Sequence, residues 1–210
     1  MGTVGIMILS GIAVKGRKMR DSRVPRLPPR DRILDAAEEL FHREGIRAVG
    51  VEAIATRAET TKMALYRHFE SKDALVVEWL RLVTRQYVAV FERLAAGHPG
   101  DARAQLRGWA QFIADGLSGT SHRGCPFVNS IAELPDRQHP ARLLIETHKA
   151  NQARRVAALC AEAGIPDPEA AAAELTFVLE GAQVTAQNMG ITDIEGHLMR
   201  IVTAILERRA

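Results

Sequence analysis

Residues 51–75 read VEAIATRAETTKMALYRHFESKDAL, and this stretch decides the fold. Val51, Ile54, Ala55 and Ala58 recur three or four apart, a single apolar stripe across about two helical turns. Glu59 and Thr60 interrupt it. Thr61 can cap a second short helix whose Leu65 and Phe69 form its back face. Ser71 can cap a third, with Asp73 in the first turn, where the helix dipole favours an anion. Two short helices joined by a tight turn form a helix-turn-helix. In such a unit the first helix braces across a phosphate backbone. The second lies in the major groove, where every base pair shows a distinct donor and acceptor pattern. Its reading end needs small or polar side chains, and Thr60, Thr61, Lys62 and Ala64 supply them. Tyr66 and His68 add hydrogen-bonding groups within reach of phosphates.

Upstream, Ile33, Leu34, Ala37, Leu40 and Phe41 hold the helical period, with Asp31 as the expected N-cap and Gly45 as the stop. Downstream, the helix opened by Ser71 carries Leu75, Val76, Trp79, Leu80, Leu82, Val83, Val90, Phe91 and Leu94 as far as the Gly97–Gly100 break. Further helical segments follow at about 106–113, 126–133, 141–163, 170–187 and 194–206, separated by Gly and Pro. No strand alternation and no repeat interrupts them. The predicted fold is all-α, of about nine helices.

Composition agrees with a globular chain: 210 residues, 47% hydrophobic and 25% charged. Two cysteines, Cys125 and Cys160, support neither a disulfide framework nor a four-thiolate zinc site. The charge is unevenly spread. Between Lys15 and Arg32 stand eight basic residues against Asp21 and Asp31, although the whole chain carries only +3. A basic arm on a near-neutral body suits a polyanion partner. Residues 4–14 are apolar but too short to span a bilayer, and their positive charges follow them rather than precede them. A start at Met19 would explain this stretch. The expected setting is cytoplasmic, without a membrane partner.

Residues 33–81 resemble the N-terminal domain of the tetracycline-repressor (TetR) family of bacterial transcriptional regulators. The resemblance lies in Ile33-Leu34-Asp35-Ala36-Ala37, Leu40-Phe41, Gly45-Ile46 and Ile54-Ala55 followed by Ala58. It is densest in Leu65-Tyr66-Arg67-His68-Phe69 and Ser71-Lys72-Asp73-Ala74-Leu75. It implies a DNA-binding head over 31–75, preceded by a flexible basic arm over 1–30. A helical ligand-binding and dimerisation body would follow over 76–210. It further implies that Tyr66 and His68 contact phosphates or base edges and that Lys72 contacts a phosphate, with Thr61 and Lys62 at the reading end. Arg57 and Arg67 are candidate backbone contacts. Three positions depart from the family pattern: Glu59 and Met63 stand where glycine is usual, and Gly50 where a capping Ser or Thr is usual.

In the body, Trp109, Phe112, Phe127, His148, Gln152 and Phe177 are the candidate effector contacts, because pockets combine apolar rings with a few polar groups. Cys125, beside His122 and Arg123, is a candidate redox-sensitive thiol. Ala170–Ala173, Ala182, Ala186, Leu175, Val178, Leu179, Val184, Leu198, Ile201, Val202 and Ile205 supply an apolar surface for a homodimer. His122, His139 and His148 lack metal-ligand spacing, and no cofactor or catalytic motif occurs. The expected function is a homodimeric regulator, a repressor released from a palindromic DNA operator by a small molecule. The alternative is a helical enzyme or small-molecule carrier that keeps a helix-turn-helix-like hairpin.

Overall fold

The computed structural model describes residues 27–117, 123–188 and 190–208. The apolar run at 4–14, Met19 and most of the expected arm lie outside them, as does His122. Among the described residues every regular element is a helix: α1 (Pro29–Glu44), α2 (Val51–Arg57), α3 (Lys62–His68), α4 (Lys72–Gly97), α5 (Ala102–Asp115), α6 (Pro126–Glu133), α7 (Pro140–Glu162), α8 (Pro168–Gln187) and α9 (Ile194–Leu206). None is long and apolar enough to cross a membrane.

Helix starts follow local chemistry. Thr61, Ser71, Asp101, Asp167 and Asp193 each accept a backbone N–H from the first turn of their helix. The expected cap at Asp31 is corrected. Helix α1 begins two residues earlier, at Pro29, and Asp31 lies in its first turn. Proline suits this place because its fixed φ is already helical and its missing N–H would have had no partner. Arg30 and Arg32 therefore belong to α1 rather than to a free arm. Arg30 pairs with Glu78 at 3.0 Å and lies over the Phe69 ring, 5.2 Å from its centre.

Helices α1, α2 and α3 pack on one another, and α1 also packs on the start of α4. Ile33, Ile54 and Leu65 are fully buried there. Helix α4 then runs 26 residues, about 39 Å at 1.5 Å per residue, out of this head and into the body. Phe41 of α1 meets Trp79 of α4 at 5.3 Å between ring centres. In the body, α7 packs on α4, α5 and α8, and α9 closes against α5 and α8. Short α6 lies on α7. Core residues of head and body form one contiguous apolar cluster, so the expected boundary at residue 75 falls inside a continuous helix and a continuous core.

Candidate nucleic-acid interface and the body cavity

Thr61 fixes the start of α3. Its Oγ1 accepts the Ala64 N–H at 3.1 Å. Along the helix, Lys62, Met63, Tyr66, Arg67 and His68 are exposed, while Leu65 and Ala64 turn inward. Met63 is 76% exposed and forms the apolar crest of this surface. Ala64 is a correction to the expected contacts. Its methyl is buried and offers little surface to a groove. Thr60 is half-buried, and its N–H closes the α2 turn on the Ala55 carbonyl at 2.9 Å. The turn is made without glycine: Glu59 itself takes the left-handed conformation, φ 50°. Gly50 caps α2 with no side-chain hydrogen bond, so the oxygen a Ser or Thr would place there is missing.

Ion pairs decide which cations face outward. Lys62 Nζ lies 2.6 Å from Glu52 Oε1, joining α3 to α2, and each partner holds the other in its charged form. Arg57 turns back to Glu39 of α1 at 2.5 Å. Lys72, expected on a phosphate, donates to the Ile46 carbonyl at 2.5 Å. It is half-buried at the positive end of α4, and this burial lowers its pKa. An ammonium has three N–H donors, so one bond to Ile46 does not exhaust it. Sequence reasoning singled out neither Glu52 nor Glu39, since pairs across separate helices leave no periodic signal.

The body holds the head through α6. Glu133, half-buried at the last turn of α6, accepts the Arg47 N–H at 2.7 Å. Gly45 sits beneath it at φ +88°, where a Cβ would lie 2.6 Å from Glu133 Oε1. Arg123 donates to the Arg43 carbonyl at the end of α1, and Asn129 donates to the Arg123 carbonyl. Arg123 and Asn129 thus tie the body to the end of α1.

The other end of α6 faces an aromatic cluster. Tyr87 of α4 meets Trp109, Phe112, Phe127 and His148 edge-on, at 5.3 to 5.8 Å between ring centres. His148 stacks on Phe127 at 4.2 Å. Burial pushes the His148 pKa down to about 4, so its imidazole is neutral at pH 7. Beside this cluster lies a small cavity of about 10 Å³, lined by Tyr87, Trp109, Cys125, Gln152, Leu175 and Leu179 among others. Lys149 and Glu180, paired at 2.7 Å, bridge α7 to α8 at its edge. The Trp109 indole N–H and the Gln152 Oε1 are buried without a partner among the described protein groups. A wider, open cleft of about 590 Å³ lies between head and body, lined among others by the Arg30–Glu78 ion pair and by His139, whose Nε2 lies 3.6 Å from Asp73 Oδ2.

Of the expected effector contacts, Trp109 and Gln152 line the cavity, while Phe127, His148 and Phe112 form the ring cluster beside it. Phe177 is a correction: it is 74% exposed. Leu175 and Leu179, four residues apart, take the cavity face of α8, and Phe177 between them projects about 200° away. Tyr87 was missed, although it stands on the same helical stripe as Val83, Val90 and Phe91. Cys125 is buried at the cap of α6, away from reagents in solvent. Among the described residues no group of His, Cys, Asp and Glu is placed to hold a metal ion.

Comparison with known proteins decides what this architecture is. Residues 33–79 match the profile of bacterial regulatory proteins of the tetR family. SCO4454, a TetR-family transcriptional regulator from Streptomyces coelicolor, is 31% identical with a TM-score of 0.79, over 85% of this chain and 94% of that one. The chain belongs to the TetR family. Its members are transcriptional regulators with a DNA-binding helix-turn-helix, not enzymes, so the enzyme alternative falls away. The TetR regulator is also 24% identical to the HTH-type transcriptional regulator YjdC of Escherichia coli K12, over 72% of this chain and 80% of that one. Against the HTH-type transcriptional activator FasR of Mycolicibacterium smegmatis it is 36% identical, over 44% of this chain and 37% of FasR.

Proposed function

We propose that this TetR regulator is a homodimeric repressor that a small molecule releases from a palindromic operator. One observation carries the reading. The same body elements that border the aromatic cavity, α4 and α6, also hold the head: α4 begins at Lys72 on the Ile46 carbonyl, and α6 ends at Glu133 on the Arg47 N–H. A ligand that moves either one moves the recognition helix. The functional division is a head of 31–75 and a body of 76–210. Thr60, Thr61, Lys62, Tyr66, Arg67 and His68 face the DNA, with Lys72 reaching a phosphate through its remaining donors. Two heads held at a fixed separation match half-sites spaced by helical turns of DNA. The effector shifts the population away from that spacing, by no more than its differential affinity for the two states. The activator named among the relatives matches this chain over only 37% of its own length, so its sign of regulation does not transfer.

The two-fold partner is a second copy of α8 and α9. Phe177, Val184 and Ile201 are 74%, 49% and 48% exposed on these two packed helices. Gly181 lies between the first two with open space above it. Such a face, repeated across a two-fold axis, makes a four-helix bundle. Selection of binding sites from random duplex DNA tests the whole reading. A palindromic consensus bound with a steep salt dependence supports it, and the absence of any enriched site sinks it.

A further inference from the structure

We infer that the body cavity takes an uncharged aromatic compound bearing a carbonyl-type acceptor and an N–H or O–H donor, and that it rejects carboxylates and ammonium-type cations of the same shape. The inference rests on the regulator reading above and specifies its effector. Three observations support it. The walls are rings: Tyr87 and Trp109 line the space, and Phe127 and His148 lie edge-on to Tyr87. A flat π-system gains most against such walls through edge-to-face and offset contacts. The polar atoms left without partners around the space are the Trp109 N–H, the Gln152 Oε1 and the Nε2 of the neutral His148, uncharged and of both kinds. The Trp109 N–H requires an acceptor and the Gln152 Oε1 requires a donor, and both are buried. A buried polar group left unpaired is costly, so a ligand that satisfies both gains more than its area alone provides.

The charges near the site are already matched. Lys149 is tied to Glu180 at 2.7 Å, and its ammonium also lies 5.9 Å from the centre of the Phe127 ring. His148 is neutral. An anionic ligand would have to take Lys149 from Glu180 and leave that carboxylate beside it. A cation would have to take Glu180 from Lys149. Either exchange leaves a partly buried charge unpaired. The free space of about 10 Å³ holds one water at most, so a ring enters only by parting the packed helices or shifting the loop before α6. Occupancy is thereby coupled to the strut that ends on Arg47.

The test uses four probes of nearly equal size: benzamide, benzoate, benzamidinium and ethylbenzene. The chain has two tryptophans, Trp79 and Trp109, so its ¹⁵N spectrum carries two indole N–H resonances. Trp79 packs on Phe41 at the head and serves as the internal reference. Benzamide should shift the Trp109 resonance saturably at millimolar concentration, and by more than it shifts Trp79. It should bind at least about tenfold tighter than benzoate or benzamidinium. Gln152→Leu, which keeps the side chain's bulk, should weaken benzamide about fivefold while ethylbenzene binds as before. Trp109→Phe should also weaken benzamide, followed there by ligand-observed NMR. Benzoate or benzamidinium binding as tightly as benzamide overturns the inference, and so does a Trp109 resonance that no probe moves. Operator binding by the unliganded protein is measured in parallel. Its failure removes the regulator reading and leaves the ligand result standing, whereas charge-indifferent probe binding with intact operator binding removes only this inference.

Discussion

Replacing Phe177 with Asp should dissociate the dimer without unfolding the protomer. The side chain is 74% exposed in the single chain, so its substitution removes little intramolecular packing. Burying the rest of a Phe side chain is worth about 1–2 kcal/mol, taking the exposed fraction of a full burial of roughly 1.5–3 kcal/mol. Two-fold symmetry counts it twice, about 2–4 kcal/mol per dimer. An unpaired carboxylate buried in each half adds more, several kcal/mol for each fully buried charge. A floor of about 4 kcal/mol corresponds to a thousandfold rise in the dimer Kd. Sedimentation equilibrium across nanomolar to micromolar concentration reads this directly, with circular dichroism to confirm that helicity is kept. Val202→Asp is the contrast. Val202 was expected at the dimer face, but it is 0% exposed and packs within its own chain. A charge there should unfold the protomer, because α9 turns Val202 inward and Ile201 outward. A folded Phe177→Asp variant with the wild-type dimer constant would refute the α8–α9 interface, as would a wild type that is monomeric at micromolar concentration.

Four further outcomes are expected. Glu52→Gln should free Lys62 for the DNA and tighten operator binding a few-fold in an anisotropy titration with a steeper salt slope, whereas Lys62→Ala should relax preference at particular base pairs. Glu133→Ala should cost about 0.5–1.5 kcal/mol by removing the acceptor of the Arg47 N–H, and hydrogen exchange should show protection lost around Arg47 while α7 and α8 keep theirs. The His148 pKa is held down at about 4 against 6.5 for an ordinary histidine, so its stabilising contribution is full above pH 6.5 and is lost as pH falls toward 4. Urea titrations should therefore show up to about 3 kcal/mol of pH-dependent stability that His148→Gln lacks. Glu59→Gly should be about 1 kcal/mol more stable than Glu59→Ala in calorimetry, since both lose the side chain and only glycine takes a φ of 50° without strain.

Much of this protein is determined along the chain itself. Helix period and capping chemistry are local properties, so α2, α3 and the start of α4 follow from Ile54, Ala55, Thr61, Leu65 and Ser71 without knowledge of any partner. The exposed side of α3 is partly legible for the same reason: Tyr66, one residue past the inward Leu65, is turned outward by about 100°. Lys62 instead shares the i, i+3, i+7 stripe of Leu65 and Phe69 and is exposed because it opens the helix. Tertiary structure decided everything that depends on which helix lies beside which. Ala64 lies on the inward side by one step of helical rotation, and Phe177 lies on the outward side by two. Lys62 meets Glu52, Arg57 meets Glu39, and Lys72 meets the Ile46 carbonyl, each a pairing between residues of separate segments. Glu133 and Arg47 are 86 positions apart, and no periodicity relates them. An amphipathic stripe specifies that a helix has a buried side; only the packing of all its neighbours specifies what that side touches, because the apolar driving force is non-directional while hydrogen bonds and ion pairs require a particular atom at a particular distance.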